Sequence, residues 1–398
     1  MKKIFLKNIV LLFIVFGTTF TSCTKDNGKI EEEKDKYLVS TEVKYAFSEA
    51  VLESAFNFPG IDNVITSGII TYKLSYTTVY EDKKITASGT LTLPDKPGKY
   101  PLALVERGTI LSNAEAPSEK ELPSYEALSG MGYIVFVPDM IGYGDSNDIL
   151  HPYLDYQYSA STSVDMYYAV NEYLDKKEST TNNDKFFITG YSQGGYSAMA
   201  TYKYINDNNL DININAIGPG AGGYNIMGLV ENILKEDTYP ATILLTMPMI
   251  IYNELYIHRP TSDIINAPYA AQVQSVIDGE KEWKDIASSL PTTIKDLFNA
   301  SLIDDLKAGK TTFLTQAIND NSVHNWAPKE PLRLYHYPLD EIIPIATTMS
   351  TVQTMQENGA TDVKFIEVPS MLVKPEGSAH GNAGLGALFM AFTEFGKY

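Results

Sequence analysis

Between residues 69 and 218 the chain alternates short apolar runs with amphipathic stretches, and this rhythm limits the fold more than any other feature. Residues 69–79 and 85–93 alternate in the manner of two paired strands. Pro94-Asp95-Lys96-Pro97-Gly98 between this pair and the next run is a turn cluster. Residues 101–105, 133–137 and 186–188 read as short buried strands. Residues 120–128, 163–174 and 195–204 read as the helices between and after them. Strands that recur with intervening helices build a mostly parallel sheet covered on both faces. The rhythm breaks after Ala216-Ile217-Gly218. Residues 224–328 carry few strand signals, whereas residues 242–256, 273–290 and 294–306 look helical. This segment is expected to be a helical cap inserted between two strands. An ordinary second domain with no part in a site is the alternative. The β rhythm resumes at residues 332–335 and 363–368, and a last helix is expected over 384–395. The core therefore divides into residues 41–223 and 329–398, on either side of the cap.

The single cysteine, Cys23, excludes an intramolecular disulfide and lies in a segment with the features of an export signal. Lys2, Lys3 and Lys7 precede the apolar run 9–16, which is too short to span a bilayer as a mature helix. Thr21-Ser22-Cys23 resembles a bacterial lipobox, with Phe20 where leucine is usual. Residues 1–22 are read as a signal peptide, Cys23 as the site of lipid attachment, and polar residues 23–40 as a tether. An ordinary signal peptide with an incidental cysteine is the other reading. The expected location is the cell envelope, periplasmic or at the surface, with membrane contact through the lipid alone. A formal net charge of -18 disfavours nucleic acid as a partner.

Gly190-Tyr191-Ser192-Gln193-Gly194 follows one predicted strand and precedes a predicted helix. A turn this tight requires glycine at its outer positions, Gly190 and Gly194, and lifts the Ser192 hydroxyl above the strand end. A serine at its ordinary pKa is a poor nucleophile and needs a base. Among the five histidines, His380 has the best setting, in the glycine-flanked stretch Gly377-Ser378-Ala379-His380-Gly381 after the last strand. His336 is the rival, while His151 is expected to be structural or substrate-lining. An acid that orients the imidazole should lie between serine and histidine, and Asp340 after residues 332–335 is the candidate. Glu341 is a possible substitute, and a plain helix-capping role for Asp340 is the bland reading. The backbone N–H of Gln193 and that of Thr109, in Arg107-Gly108-Thr109, are the expected oxyanion donors.

In their order these residues resemble the α/β-hydrolase lipases and esterases of the secretory-lipase type. The resemblance rests on residues 87–94, on Pro138-Asp139-Met140-Ile141-Gly142-Tyr143-Gly144, on the elbow at Ser192 and on Trp326-Ala327-Pro328, and covers about residues 65–395. The sequence departs from that pattern at Arg107-Gly108, where His-Gly is frequent. It departs again at His336-Tyr337-Pro338-Leu339-Asp340, where His-Gly-x-x-Asp is frequent. The resemblance implies a mostly parallel eight-stranded sheet and carboxylic ester hydrolysis through an acyl-enzyme, with no metal or organic cofactor. A serine peptidase of the same fold is an alternative. Those enzymes usually carry an N-terminal propeller, for which the stretch before residue 65 is too short. A non-catalytic binding lipoprotein on the same scaffold is a further alternative. The ester itself is left open among lipid, acetylated sugar and aromatic ester. The apolar residues Ile226, Met227, Met247, Met249, Ile250 and Ile251 of the cap suit either a lipidic acyl chain or plain packing.

Overall fold

The computed structural model describes residues 35–55, 64–121, 124–287 and 289–398. The signal peptide and Cys23 lie outside the described residues, as does the tether up to residue 34. The described chain from Asp35 onward forms one compact unit.

Nine strands form one sheet, in the order β1-β2-β3-β5-β4-β6-β7-β8-β9. They are β1 Leu38–Phe47, β2 Ile69–Tyr80, β3 Lys83–Pro94, β4 Gly98–Glu106, β5 Ile134–Pro138, β6 Thr180–Tyr191, β7 Ala216–Gly220, β8 Leu332–His336 and β9 Val363–Glu367. The first three are antiparallel, and β3 also meets β5 antiparallel. From β5 across to β9 every pairing is parallel. The expected paired strands are the hairpin β2–β3, closed by Glu81-Asp82, both at positive φ as a two-residue hairpin turn requires. The strand beyond the expected eight is β1. It begins at Leu38, inside the stretch read as tether, and runs along the mostly exposed edge of the sheet.

Helices α1 Glu49–Ala55, α2 Tyr156–Leu174 and α3 Gln193–Asp207 precede the cap, and α10 Ile345–Glu357 and α11 Ala379–Phe395 follow it. Against one face of the sheet, α2 and α3 pack in a core that includes Phe136, Ile188, Met166 and Met199. On the other face Phe187 and Tyr335 pack against Phe392 and Phe395 of α11. Of residues 120–128, expected as a helix, Tyr125 to Leu128 belong instead to a 3-10 helix, Tyr125–Met131, on that second face.

Between β7 and β8 lie α4 Ile226–Ile233, α5 Thr242–Tyr252, α6 Trp283–Ala287, α7 Ile294–Leu297, α8 Ala300–Lys307 and α9 Thr315–Asp320. The long helix expected over 273–290 is instead a 3-10 turn, Val273–Val276, followed by α6, with Gly279 at φ 82° between them. Buried hydroxyls fix this helical segment to the core. Tyr252 of α5 donates to the Leu154 carbonyl at 2.8 Å, and Tyr196 of α3 donates to the Asn321 carbonyl at 2.7 Å. Among the described residues no helix is long and apolar enough to cross a membrane.

Candidate active site

The site stands on the carboxyl ends of the parallel strands. Glu106 of β4 pairs with Gly190 of β6, and Tyr191 pairs with Gly220 of β7, so the turn after β6 sits between two neighbouring strand ends. A methyl group on Gly190 would come within 2.3 Å of the Gly194 carbonyl oxygen. One on Gly194 would come within 2.0 Å of the Glu106 carbonyl oxygen. Only glycine fits either place. Ser192 between them holds φ 59°, ψ -121°, a conformation that side chains rarely adopt. Its own N–H is engaged, donating to the Gly220 carbonyl at 2.9 Å, so it is not free for a ligand.

The structure brings Ser192, His380 and Asp340 together. His380 Nε2 lies 2.8 Å from Ser192 Oγ, and His380 Nδ1 lies 2.7 Å from Asp340 Oδ2. An ionised carboxylate only accepts, so Nδ1 carries the proton and the Nε2 lone pair faces the serine hydroxyl. Burial alone would raise the Asp340 carboxyl, but hydrogen bonds from His336 and His380, and their charge, hold it well below the usual carboxylate range. Its other oxygen accepts the N–H groups of Ile342 and Ile343 at 2.9 and 2.8 Å. His380 stands in the first turn of α11, capped by Ser378, and not in the loop its flanking glycines suggest. Glu341 serves that turn: it accepts the His380 N–H at 3.0 Å and the Ser378 hydroxyl. The two adjacent acids therefore divide the work, Asp340 on the ring and Glu341 on the backbone.

His336, the rival histidine, is fully buried and belongs to the acid. Its Nε2 lies 2.9 Å from the Ile343 carbonyl and 3.3 Å from Asp340 Oδ2, and its Nδ1 is 2.7 Å from the Thr348 hydroxyl. His258 and His324 fall in or directly after the cap, away from these contacts.

Gln193 is the first residue of α3, where a backbone N–H has no partner within the helix. In the loop after β4, the Gly108 N–H is taken by the Tyr125 hydroxyl at 3.1 Å, which leaves Thr109 as that loop's next donor. The Thr109 hydroxyl is bonded to the Tyr153 hydroxyl at 2.9 Å.

Beneath these two amides lies a polar network that the sequence reading did not foresee. The fully buried Arg107 donates to the Asp139 carbonyl at 2.9 and 2.7 Å, to the Gly108 carbonyl at 3.0 Å and to Gln193 Oε1 at 3.2 Å. Its guanidinium lies over the Tyr143 ring, 4.7 Å from the centroid. Gln193 Nε2 in turn donates to His151 Nε2 at 2.7 Å, and His151 Nδ1 donates to the Ile141 carbonyl at 2.6 Å. Burial and the nearby Arg107 charge push His151 down to about 3, so it stays neutral and able to accept. His151 is thus structural, and it holds the side chain next to the nucleophile.

Ser192 faces two spaces. An open cleft of ≈ 650 Å³ is lined by His380, Thr109, Tyr125, Trp283, Glu341 and Leu385, among others. A small cavity of ≈ 30 Å³ is lined by Gln193 and, from the helical segment, by Ile226, Leu229, Ile233, Leu245 and Pro248. From the segment between β7 and β8, several of residues 226–248, and Trp283, therefore line the spaces at Ser192. Met247 and Met249 line neither space and pack in the core. Among the described residues, no group of three or more His, Cys, Asp or Glu side chains is placed to hold a metal ion.

The comparisons agree with this architecture. A prolyl oligopeptidase family profile matches residues 123–207, the stretch from before β5 to the end of α3. A search of curated proteins found no match. Among solved structures, a hydrolase of unassigned role from Legionella pneumophila superposes with a TM-score of 0.80 at 22% identity, over 91% of this chain and 98% of that one. A ligand-bound form of the rice cell wall degrading esterase LipA from Xanthomonas oryzae gives 0.79 at 22% identity, over 91% and 97%. Candida antarctica lipase A gives 0.63 at 13% identity, over 91% and 83%. The chain has the α/β-hydrolase fold.

Proposed function

We propose that the chain is an exported serine hydrolase of carboxylic esters, held at a membrane by lipid on Cys23. The observation that carries the chemistry is the continuous chain from Ser192 Oγ through His380 to Asp340, at 2.8 and 2.7 Å. As the Ser192 oxygen attacks the ester carbonyl carbon, His380 Nε2 takes its proton. Asp340 stabilises the imidazolium that results. The carbonyl oxygen gains charge and is met by the amides of Gln193 and Thr109. His380 then gives the proton to the leaving alcohol oxygen, and an acyl group stays on Ser192. Water repeats the sequence, with His380 as its base, and frees the acid.

A fluorophosphonate probe applied to fractionated cells of a bacterial host tests both parts. Wild type should label in the membrane fraction. Ser192→Ala should not label, and should lose on the order of 10³-fold or more in ester turnover. Cys23→Ala should label in the soluble fraction. A folded Ser192→Ala protein with near-wild-type turnover would sink the catalytic assignment, and an unacylated, soluble wild type would sink the anchor. The profile match over residues 123–207 keeps a peptidase as the second reading. Cleavage of a peptide anilide faster than of any ester would favour it. A wild type that neither labels nor turns over ester would point to a binding protein.

A further inference from the structure

Resting on the esterase reading above, we infer that the substrate combines a very short acyl group, of about two or three carbons, with a bulky and partly apolar alcohol. The two spaces that meet at Ser192 carry this inference, because the chemistry decides which half of an ester each must take. The leaving oxygen has to receive its proton from His380 Nε2, so the alcohol lies on the histidine's side of the serine. His380 lines the open cleft and does not line the small cavity. The two proposed oxyanion donors straddle the spaces, Gln193 lining the cavity and Thr109 the cleft, so the side taken by His380 sets the direction. The acyl group therefore points inward beneath the helical segment, and the alcohol points outward.

The sizes differ sharply. The inner cavity is ≈ 30 Å³. At about 10–15 Å³ for each water-sized group, it has room for two or three carbons, those of an acetyl or propionyl group whose carbonyl oxygen lies at the amides. Ile233 and Leu245, on its wall, are nearly completely buried in the packed core, so the wall does not yield cheaply to a longer chain. The outer cleft, at ≈ 650 Å³, has the size of sites that hold whole small molecules. Its lining mixes the apolar faces of Trp283, Leu385 and Leu388 with the polar groups of Ser124, Tyr125 and Glu341. That mixture suits a ring system bearing hydrogen-bonding groups. A lipidic chain would leave the polar groups unpaired.

The test is kcat/KM over esters of one alcohol, 1-naphthol, with acyl groups from acetate to octanoate. Acetate or propionate should exceed octanoate by at least 100-fold, since each misplaced methylene is worth about 10-fold or more in such a pocket. Leu229→Ala and Ile233→Ala should move the optimum to butyrate or longer. Leu229 is only half-buried, so its variant keeps the test alive if the Ile233 variant does not fold. On the alcohol side, Trp283→Ala should raise KM for naphthyl acetate several-fold more than it raises KM for methyl acetate. Octanoate turned over as well as acetate, or an acyl preference untouched in both alanine variants, overturns the inference. Phosphonate labelling of Ser192 in the same preparations separates the two readings. Labelled enzyme with the wrong preference defeats only the substrate class, whereas unlabelled enzyme defeats the esterase reading itself.

Discussion

Arg107 is a cation buried from bulk solvent, and what it touches explains its place. The Gly108 carbonyl that it binds belongs to the same peptide plane as the Thr109 N–H. In a trans peptide these two groups point in opposite directions, so fixing one aims the other. The same guanidinium binds the side chain of Gln193, whose backbone N–H is the other proposed oxyanion donor. Arg107 is therefore a positioning residue for both. Arg107→Lys loses the planar fork that reaches three acceptors at once. It should lower kcat on the order of 10²-fold with KM little changed, because the donors matter most when charge develops. Gln193→Met, which keeps the backbone amide and removes one anchor, should show a smaller loss of the same kind. Unchanged kcat in both folded variants, or a loss in KM alone, would show that the loop holds itself. The sequence displays Ser192, His380 and Asp340 because each sits in a local pattern of glycines or a strand end. Arg107, His151 and the Gln193 side chain meet across 86 and 42 residues of chain, and no local pattern announces such a meeting. His336 was closer to legible: it stands four residues before Asp340 and shares its carboxylate.

At the scale of elements, the strands with apolar side chains on both faces were the readable ones. β5, β7 and β8 are buried from end to end, and their runs stand out in the sequence. In β6 only the last six residues are uniformly buried. The polar half, from Thr180, is held as strand by pairing with Gly98 to Tyr100 of β4, which composition does not reveal. The hairpin β2–β3 was readable from alternation; β1 alternates too, Val43, Tyr45 and Phe47 against Glu42, Lys44 and Ala46, but its start falls in the stretch read as tether. A strand at the sheet edge buries little, and Val39 and Val43 on its apolar face stand exposed. The same logic applies to the segment over the site. Amphipathic spacing suggests a helix over 273–290, but Asp278-Gly279 supplies a turn that spacing alone does not weigh. The terminal helix α11 begins five residues earlier than its apolar pattern implied, because Ser378 caps it and brings His380 into its first turn.

For the molecule as a whole, stability and chemistry are linked at the end of β4. Burial pushes the Glu106 carboxyl up to about 7, although the hydroxyls of Ser163 and Thr201 and the Arg107 charge act against it. A carboxyl that binds its proton more tightly when folded stabilises the protein fully below the unfolded pKa, about 4.5. That contribution is lost as pH rises through about 7. Its size is roughly 3 kcal/mol. Thermal unfolding of Glu106→Gln should therefore show a flatter pH dependence than wild type between pH 5 and 8, with the variant gaining on wild type toward pH 8. Parallel curves would mean that Glu106 is ionised throughout. A different consequence follows from the backbone of Ser192. At φ 59° and ψ -121° an L-residue stores conformational free energy of about 1–3 kcal/mol, which the fold must supply. A residue without a side chain releases it. Ser192→Gly should melt higher than Ser192→Ala, by the equivalent of about 1 kcal/mol after the extra freedom of glycine in the unfolded chain is allowed for. Equal melting temperatures would show that the elbow is relaxed. If the difference appears, the protein is folded against its own interest at one residue, and a search for greater thermostability would tend to erase its nucleophile first.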